Sequence, residues 1–334
     1  MPTASVLGAG SWGTALALQL ARAGHAVTLW TRDPEHAREM AESRENQRYL
    51  PGFKLAPPIV PTADLARALH GGHDLVVLAV PSHAVRETAE KARPSLDART
   101  VLVSAAKGIE EGTSLRMSEV IAASVEPNTR VTVLSGPSFA KEVAAEMPTV
   151  VTVAAMDAET AARVQRAFAT PMFRVYASED LIGVEIGGTV KNVIAIAAGV
   201  SDGLGLGYNT RAAIITRGLA EVNRLATRLG ADPLTVTGLS GMGDLVLTCT
   251  GELSRNRSVG LRLGKGERLE DVLAGMTQVA EGVRNTVAVD DLARSLGIEM
   301  PITAQMRCLL FENKSPHEAM VDLMTRQLKH EFRE

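Results

Sequence analysis

The 334-residue sequence has only two cysteines, Cys249 and Cys308, and they lie far apart. That scarcity argues against a disulfide framework and a cysteine-built zinc site, and it fits a reducing, cytoplasmic location. The seven histidines form no pair at metal-ligand spacing, so no metal is expected. An excess of one charge is lacking too, since 35 basic and 38 acidic side chains leave a net charge of -3. Such a balance provides no diffuse basic field for nucleic acid, and any cationic site for an anionic ligand has to be local. No basic, apolar leader opens the chain, and the most apolar long stretch, residues 190–200, is too short to cross a bilayer. The expectation is a soluble protein without membrane insertion.

What is present is an ordinary globular composition, 46% hydrophobic and 22% charged, in a chain long enough for two cores. Short β-branched runs at residues 5–7, 26–30, 75–80, 101–104, 131–134 and 150–153 alternate with segments of helical period. Runs apolar on both faces predict strands buried between two helical layers. From about Asp180 the runs stop, and residues 182–198, 212–229 and 284–296 carry apolar residues at helical spacing. The predicted fold is α/β: a doubly wound Rossmann-type domain over residues 1–179, then an all-helical domain over residues 180–334.

The first run leads directly into Gly8-Ala9-Gly10-Ser11-Trp12-Gly13, a GxGxxG string that opens a helix. Strand, spacing and helix together make this a dinucleotide-binding signature. Gly8 permits the turn, Gly10 lets a pyrophosphate approach the backbone, and Gly13 lets the helix pack on the strand. The amides near Ser11 and Trp12 then face the phosphates at a helix N-terminus. The second run ends Trp30-Thr31-Arg32-Asp33. Arg32 offers a guanidinium to a 2′-phosphate, which favours NADP(H), while the adjacent Asp33 keeps NAD(H) open.

A lone lysine, Lys191, stands in the apolar helical segment, three and four residues after Gly188 and Gly187. Side chains on a helix lean toward its N-terminus, so the lysine stem should cross two residues without side chains, clearing room for a ligand beside the amine. Oxidising an alcohol needs a base and reducing a carbonyl needs an acid, and Lys191 is the candidate for both. Lys107 follows a strand end, where ligands of such sheets gather. Further on, Asp244 supplies a carboxylate. Ser254-Arg255-Asn256 forms a helix cap and first turn in which amides and a guanidinium could converge on a phosphate, although a capped surface helix reads equally well.

The strings GAGSWG, SAAKGIE, LSGPSFAKE, GGTVKN, GLSGMGDLVLTCT, SRNR and VAEGV follow one another from residue 8 to about 283. In that order they resemble the signatures of the NAD(P)-dependent sn-glycerol-3-phosphate dehydrogenases. The resemblance implies a cytoplasmic oxidoreductase that interconverts sn-glycerol 3-phosphate and dihydroxyacetone phosphate and supplies phospholipid synthesis. It implies that Lys191 is the proton acceptor and that Lys107, Gly136, Ser138, Asp244, Ser254, Arg255 and Asn256 contact the substrate. It places cofactor contacts on Ser11, Trp12, Arg32, Lys107, Ala140, Arg255, Val279 and Glu281. A homodimer is the expected assembly. Two rival readings are a related hydroxyacid dehydrogenase, which the Lys107 string and the Ser254–Asn256 turn disfavour, and a non-catalytic redox sensor, which leaves the lysine on an apolar helix without a purpose.

Overall fold

A computed structural model describes residues 1–276, 279–328, 330 and 331. The chain forms two compact units, one of Met1–Thr189 with Ala226–Asp244 and the other of Val190–Leu225 with Leu245–Glu334.

The first unit is built on eight strands: β1 (Thr3–Leu7), β2 (Ala26–Trp30), β3 (Ile59–Thr62), β4 (Leu75–Leu78), β5 (Val101–Ser104), β6 (Arg130–Ser135), β7 (Thr149–Ala155) and β8 (Phe173–Ser178). They form one sheet in the order β3-β2-β1-β4-β5-β6-β7-β8. Every pairing is parallel except β6 with β7, so the expected parallel sheet is extended by a reversed pair. The order reverses direction between β1 and β4, and ligands of such sheets lie beyond the strand C-termini at that crevice.

Alternate residues of the central strands feed two cores. Val6, Val77 and Val103 join the cluster that includes Leu16 and Leu20 of the Ser11–Arg22 helix. Leu7, Leu78 and Leu102 join the opposite cluster, with Val85, Val120 and Ile121. Burial on both faces is what made these strands read as unbroken apolar runs.

The second unit is helical, with Gly207–Arg228, Arg255–Gly264, Glu281–Ser295, Pro301–Phe311 and Pro316–Met324 as principal elements. One helix, Leu181–Gly203, carries the chain from the first unit into the second. The expected shortness of the apolar stretch is corrected here. The apolar stretch belongs to a 23-residue helix that is long and apolar enough to cross a bilayer, yet 94% of its most apolar window is buried within the protein. Glu185, Thr189, Lys191, Asn192 and Ser201 are buried with it.

Within the second unit this helix and Arg255–Gly264 meet backbone to backbone. Gly199 and Gly203 on one helix, and Gly260 and Gly264 on the other, repeat at four-residue spacing. A Cβ on Gly199 would collide with the Arg257 carbonyl, and one on Gly260 with the Ile196 carbonyl. Only glycine permits helices to approach this closely. Asp202, nearly buried, reinforces the contact by accepting from Arg257 Nε at 2.8 Å and from Arg211 Nε at 2.7 Å.

Candidate active site

The glycine turn after β1 has the geometry its spacing predicts. Gly8 adopts φ +120°, and a Cβ there would lie 2.7 Å from Ala79. A Cβ on Gly13 would strike the Gly8 carbonyl, so the helix rests directly on the turn. Gly10 differs, because a Cβ there would meet nothing within 4 Å. It is the N-cap of the Ser11–Arg22 helix and supplies no side-chain cap, so the first-turn amides face outward with the positive end of the helix dipole. The half-buried Trp12 packs on the core, and its enclosed Nε1 has no hydrogen-bond partner among the described residues. Ser11 Oγ donates to the Tyr49 carbonyl at 2.7 Å. A bare backbone cradle, an uncapped helix start and an orphaned indole N–H fit a bound pyrophosphate.

At the end of β2, Arg32 is exposed and makes no hydrogen bond or ion pair among the described residues. Asp33 is committed elsewhere. Its Oδ1 accepts from His36 N at 3.2 Å and Glu35 N at 3.0 Å, capping the Pro34–Ser43 helix, and its Oδ2 pairs with Arg48 at 2.8 Å. The His36 amide, followed by Arg48, holds this carboxyl below its usual range. Arg32, by contrast, acts only at a distance, on the charge of Glu87. Ala140, half-buried, begins the short Ala140–Ala144 helix.

Four of the expected substrate residues come together in the first unit. Lys107, just past β5, places Nζ 2.5 Å from Asp244 Oδ2 and 3.5 Å from the Gly136 carbonyl. Ser138 Oγ donates to the same carbonyl at 2.9 Å. Gly136 takes φ +140°, and a Cβ on it would lie 2.9 Å from Val151 Cα, so glycine is required. Asp244 is buried and opens the Asp244–Thr250 helix, where a carboxylate suits the dipole.

The expected role of the glycines before Lys191 needs correction. A Cβ on Gly187 would lie 2.8 Å from the Ser240 carbonyl, and one on Gly188 would lie 2.5 Å from Ser135 Oγ. Their space is filled by the 239–243 turn and by the end of β6. These glycines admit neighbouring protein atoms to the helix.

In the second unit Lys191 is buried, and its Nζ donates to Thr248 Oγ1 at 2.7 Å. Thr248 was not singled out from sequence, although it follows Asp244 at the four-residue helical repeat. Ser254 caps the Arg255–Gly264 helix, its Oγ accepting from Arg257 N at 3.2 Å. Asn256 Nδ2 donates to Asn192 Oδ1 at 2.8 Å, and Asn256 Oδ1 accepts from Gly282 N at 3.0 Å. Its second amide proton is not used in these bonds. Arg255 is exposed as a residue, yet burial around its guanidinium lowers its pKa, and Glu281 opposes that shift. Glu281 is the first residue of the Glu281–Ser295 helix, and Val279, two residues earlier, is exposed. Among the described residues no group of three or more His, Cys, Asp and Glu could hold a metal ion.

Comparison with known proteins accounts for both units. Residues 3–161 match the family profile of the NAD-dependent glycerol-3-phosphate dehydrogenase N-terminus, and residues 180–321 match that of its C-terminus. The glycerol-3-phosphate dehydrogenase [NAD(P)+] of Syntrophotalea carbinolica is 54% identical over 98% of both chains. That of Citrifermentans bemidjiense is also 54% identical over 98% of both. The crystal structure of glycerol-3-phosphate dehydrogenase from Coxiella burnetii superposes with a TM-score of 0.94 at 43% identity, covering 97% of this chain and 99% of that one. With sequence and fold alike matched over nearly its whole length, the chain belongs to the NAD-dependent glycerol-3-phosphate dehydrogenase family.

Proposed function

We propose that the protein interconverts sn-glycerol 3-phosphate and dihydroxyacetone phosphate, using NADP(H) in preference to NAD(H). The observation that carries the reading is Lys191, a buried amine held by a threonine hydroxyl. Lysine is almost never buried without a task or a partner. The nicotinamide, when bound, supplies or accepts the hydride.

In reduction the Lys191 ammonium gives a proton to the oxygen that becomes the hydroxyl; in oxidation the neutral amine takes it back. Thr248 Oγ1, accepting from Nζ, fixes the direction of the amine. Arg255 and Asn256, in the first turn capped by Ser254, hold the phosphate, since an arginine fork and helix amides suit a dianion. Lys107, Gly136, Ser138 and Asp244 contact the rest of the substrate. Gly8, Gly10, Ser11, Trp12 and Gly13 hold the pyrophosphate, with Lys107, Ala140, Arg255, Val279 and Glu281 also contacting the cofactor. Arg32 favours the 2′-phosphate, because Asp33 is occupied in capping. We place the reaction in the cytoplasm, in a homodimer, as a source of glycerol phosphate for phospholipid synthesis.

The test is Lys191→Met, which keeps the stem and removes the amine. Turnover of dihydroxyacetone phosphate should fall about 100-fold to 10,000-fold, with NADPH affinity retained. Near-normal turnover in a folded variant that binds NADPH would sink the assignment. Running NADPH and NADH in parallel with wild type tests the cofactor preference.

A further inference from the structure

The turns after β1 and β2 are joined through a side chain that belongs to neither. Asn46 lies between the Pro34–Ser43 helix and β3 and is fully buried. Its Nδ2 donates to the Ala9 carbonyl and to Thr14 Oγ1, both at 2.8 Å. Its Oδ1 accepts from Tyr49 N at 3.1 Å and lies 2.9 Å from His36 Nε2. The Ala9 carbonyl can only accept and the Tyr49 amide can only donate, so the orientation of the Asn46 amide is fixed.

That orientation settles the proton on His36. An amide oxygen only accepts, so His36 Nε2 carries hydrogen and donates. The other ring nitrogen, Nδ1, faces Thr31 Oγ1 at 3.4 Å, and the same oxygen accepts from Asp33 N at 3.4 Å. Asn46 therefore uses both of its N–H groups and accepts two bonds at its oxygen. One side of it grips the glycine turn, and the other reaches the segment carrying Arg32 through His36. Tyr49 buttresses the junction, its ring set edge-on to His36 at 5.2 Å and its carbonyl held by Ser11.

We propose that Asn46 is a positioning residue of the cofactor site, setting the separation between the pyrophosphate turn and the Arg32 segment. The inference rests on the reading of residues 8–13 and Arg32 as dinucleotide contacts. Asn46 is too deeply buried to touch a ligand and acts through Ala9 and His36. Two half-sites held at a fixed distance bind a joined ligand more tightly than the same half-sites moving independently, because the second contact forms without further ordering. A fragment that reaches only one half-site gains nothing from the junction.

The experiment is Asn46→Asp, which keeps the shape but turns the donors toward Ala9 into an acceptor. Dissociation constants are measured for NADPH and NADH by nicotinamide fluorescence, and for adenosine 2′-monophosphate, which reaches only the Arg32 end, by competition. Both dinucleotides should bind about 10-fold to 100-fold more weakly. Adenosine 2′-monophosphate should change by less than about twofold. A merely loosened fold would weaken dinucleotide and fragment in equal proportion, and that result, or unchanged binding of all three, overturns the proposal. Should Asn46→Asp not fold, His36→Phe carries the same test by severing the Arg32 side alone, and equal losses there overturn it too. Wild-type protein that bound neither NADPH nor NADH would overturn the dinucleotide reading itself, a result distinct from a missing split in the variants.

Discussion

Among the described residues each compact unit contains one deeply buried glutamate that caps a helix distant in sequence, and the two are built differently. In the first unit Glu185 accepts from Ser118 N at 2.8 Å, in the first turn of the Met117–Ser124 helix, from Ser118 Oγ at 2.7 Å and from Arg116 Nη1 at 2.5 Å. In the second unit Glu221 accepts from Ile302 N at 2.6 Å and from Thr303 N and Oγ1 at 3.2 and 3.0 Å, in the first turn of the Pro301–Phe311 helix. The capping is alike, but among the described residues only Glu185 of the two is hydrogen-bonded to a guanidinium. Burial raises the pKa of both; Arg116 is the main opposing influence on Glu185, whereas backbone amides play that part for Glu221, which is pushed up to about 7. A guanidinium thus distinguishes the first cap from the second, which rests on two backbone amides and a hydroxyl.

Breaking the ion pair should have the largest effect. Arg116→Met leaves Glu185 enclosed without its cation, and the expected loss is about 3 to 5 kcal/mol in urea unfolding at neutral pH. Adding Glu185→Gln should restore much of it. A single variant that lost under about 1 kcal/mol would mean that the helix amide and hydroxyl suffice.

Glu221 sharpens the contrast through pH. Its folded pKa lies above that of an ordinary glutamate, so between the two values the native protein binds more protons than the unfolded chain. Its contribution is complete below the unfolded pKa and is lost as pH rises through about 7. The loss amounts to roughly 3 kcal/mol for a displacement of this size. Glu221→Gln should remove that slope from the difference between unfolding at about pH 5 and about pH 8. Parallel slopes in wild type and variant would show that Glu221 stays ionised throughout.

The smallest effect is expected from Thr303→Val, which deletes one donor to Glu221 at nearly constant volume. It should cost about 1 kcal/mol, more above neutrality than in mild acid, since a hydrogen bond to an ionised acceptor is the stronger. A cost independent of pH would assign the hydroxyl to packing.

How far the sequence revealed this molecule depended on burial. The central strands read clearly because both faces are covered, while β3 and β8, which it did not reveal, are the two edges of the sheet. β3 contains Pro61, and β8 alternates buried and exposed residues at its start, so neither forms an apolar run. The glycine turn, Lys107, Asp244 and Lys191 were legible because local spacing or an incongruous charge marks them. Asn46 and Thr248 were not, because their partners are remote in sequence or ordinary in type. Gly187 and Gly188 stood out for a sound reason, the lack of side chains, but what fills the space above them is a fact of tertiary packing alone.

The glycine-packed helix pair bears on redesigning this enzyme for larger or smaller substrates. Gly199 and Gly260 admit no graded substitution, because the next residue in size already places an atom inside a neighbouring carbonyl. The spacing of those two helices is therefore a discrete quantity that mutation cannot tune by small steps. A library would be spent more usefully on the side chains of the two helices, while the four glycines stay constant as the jig on which those side chains are mounted.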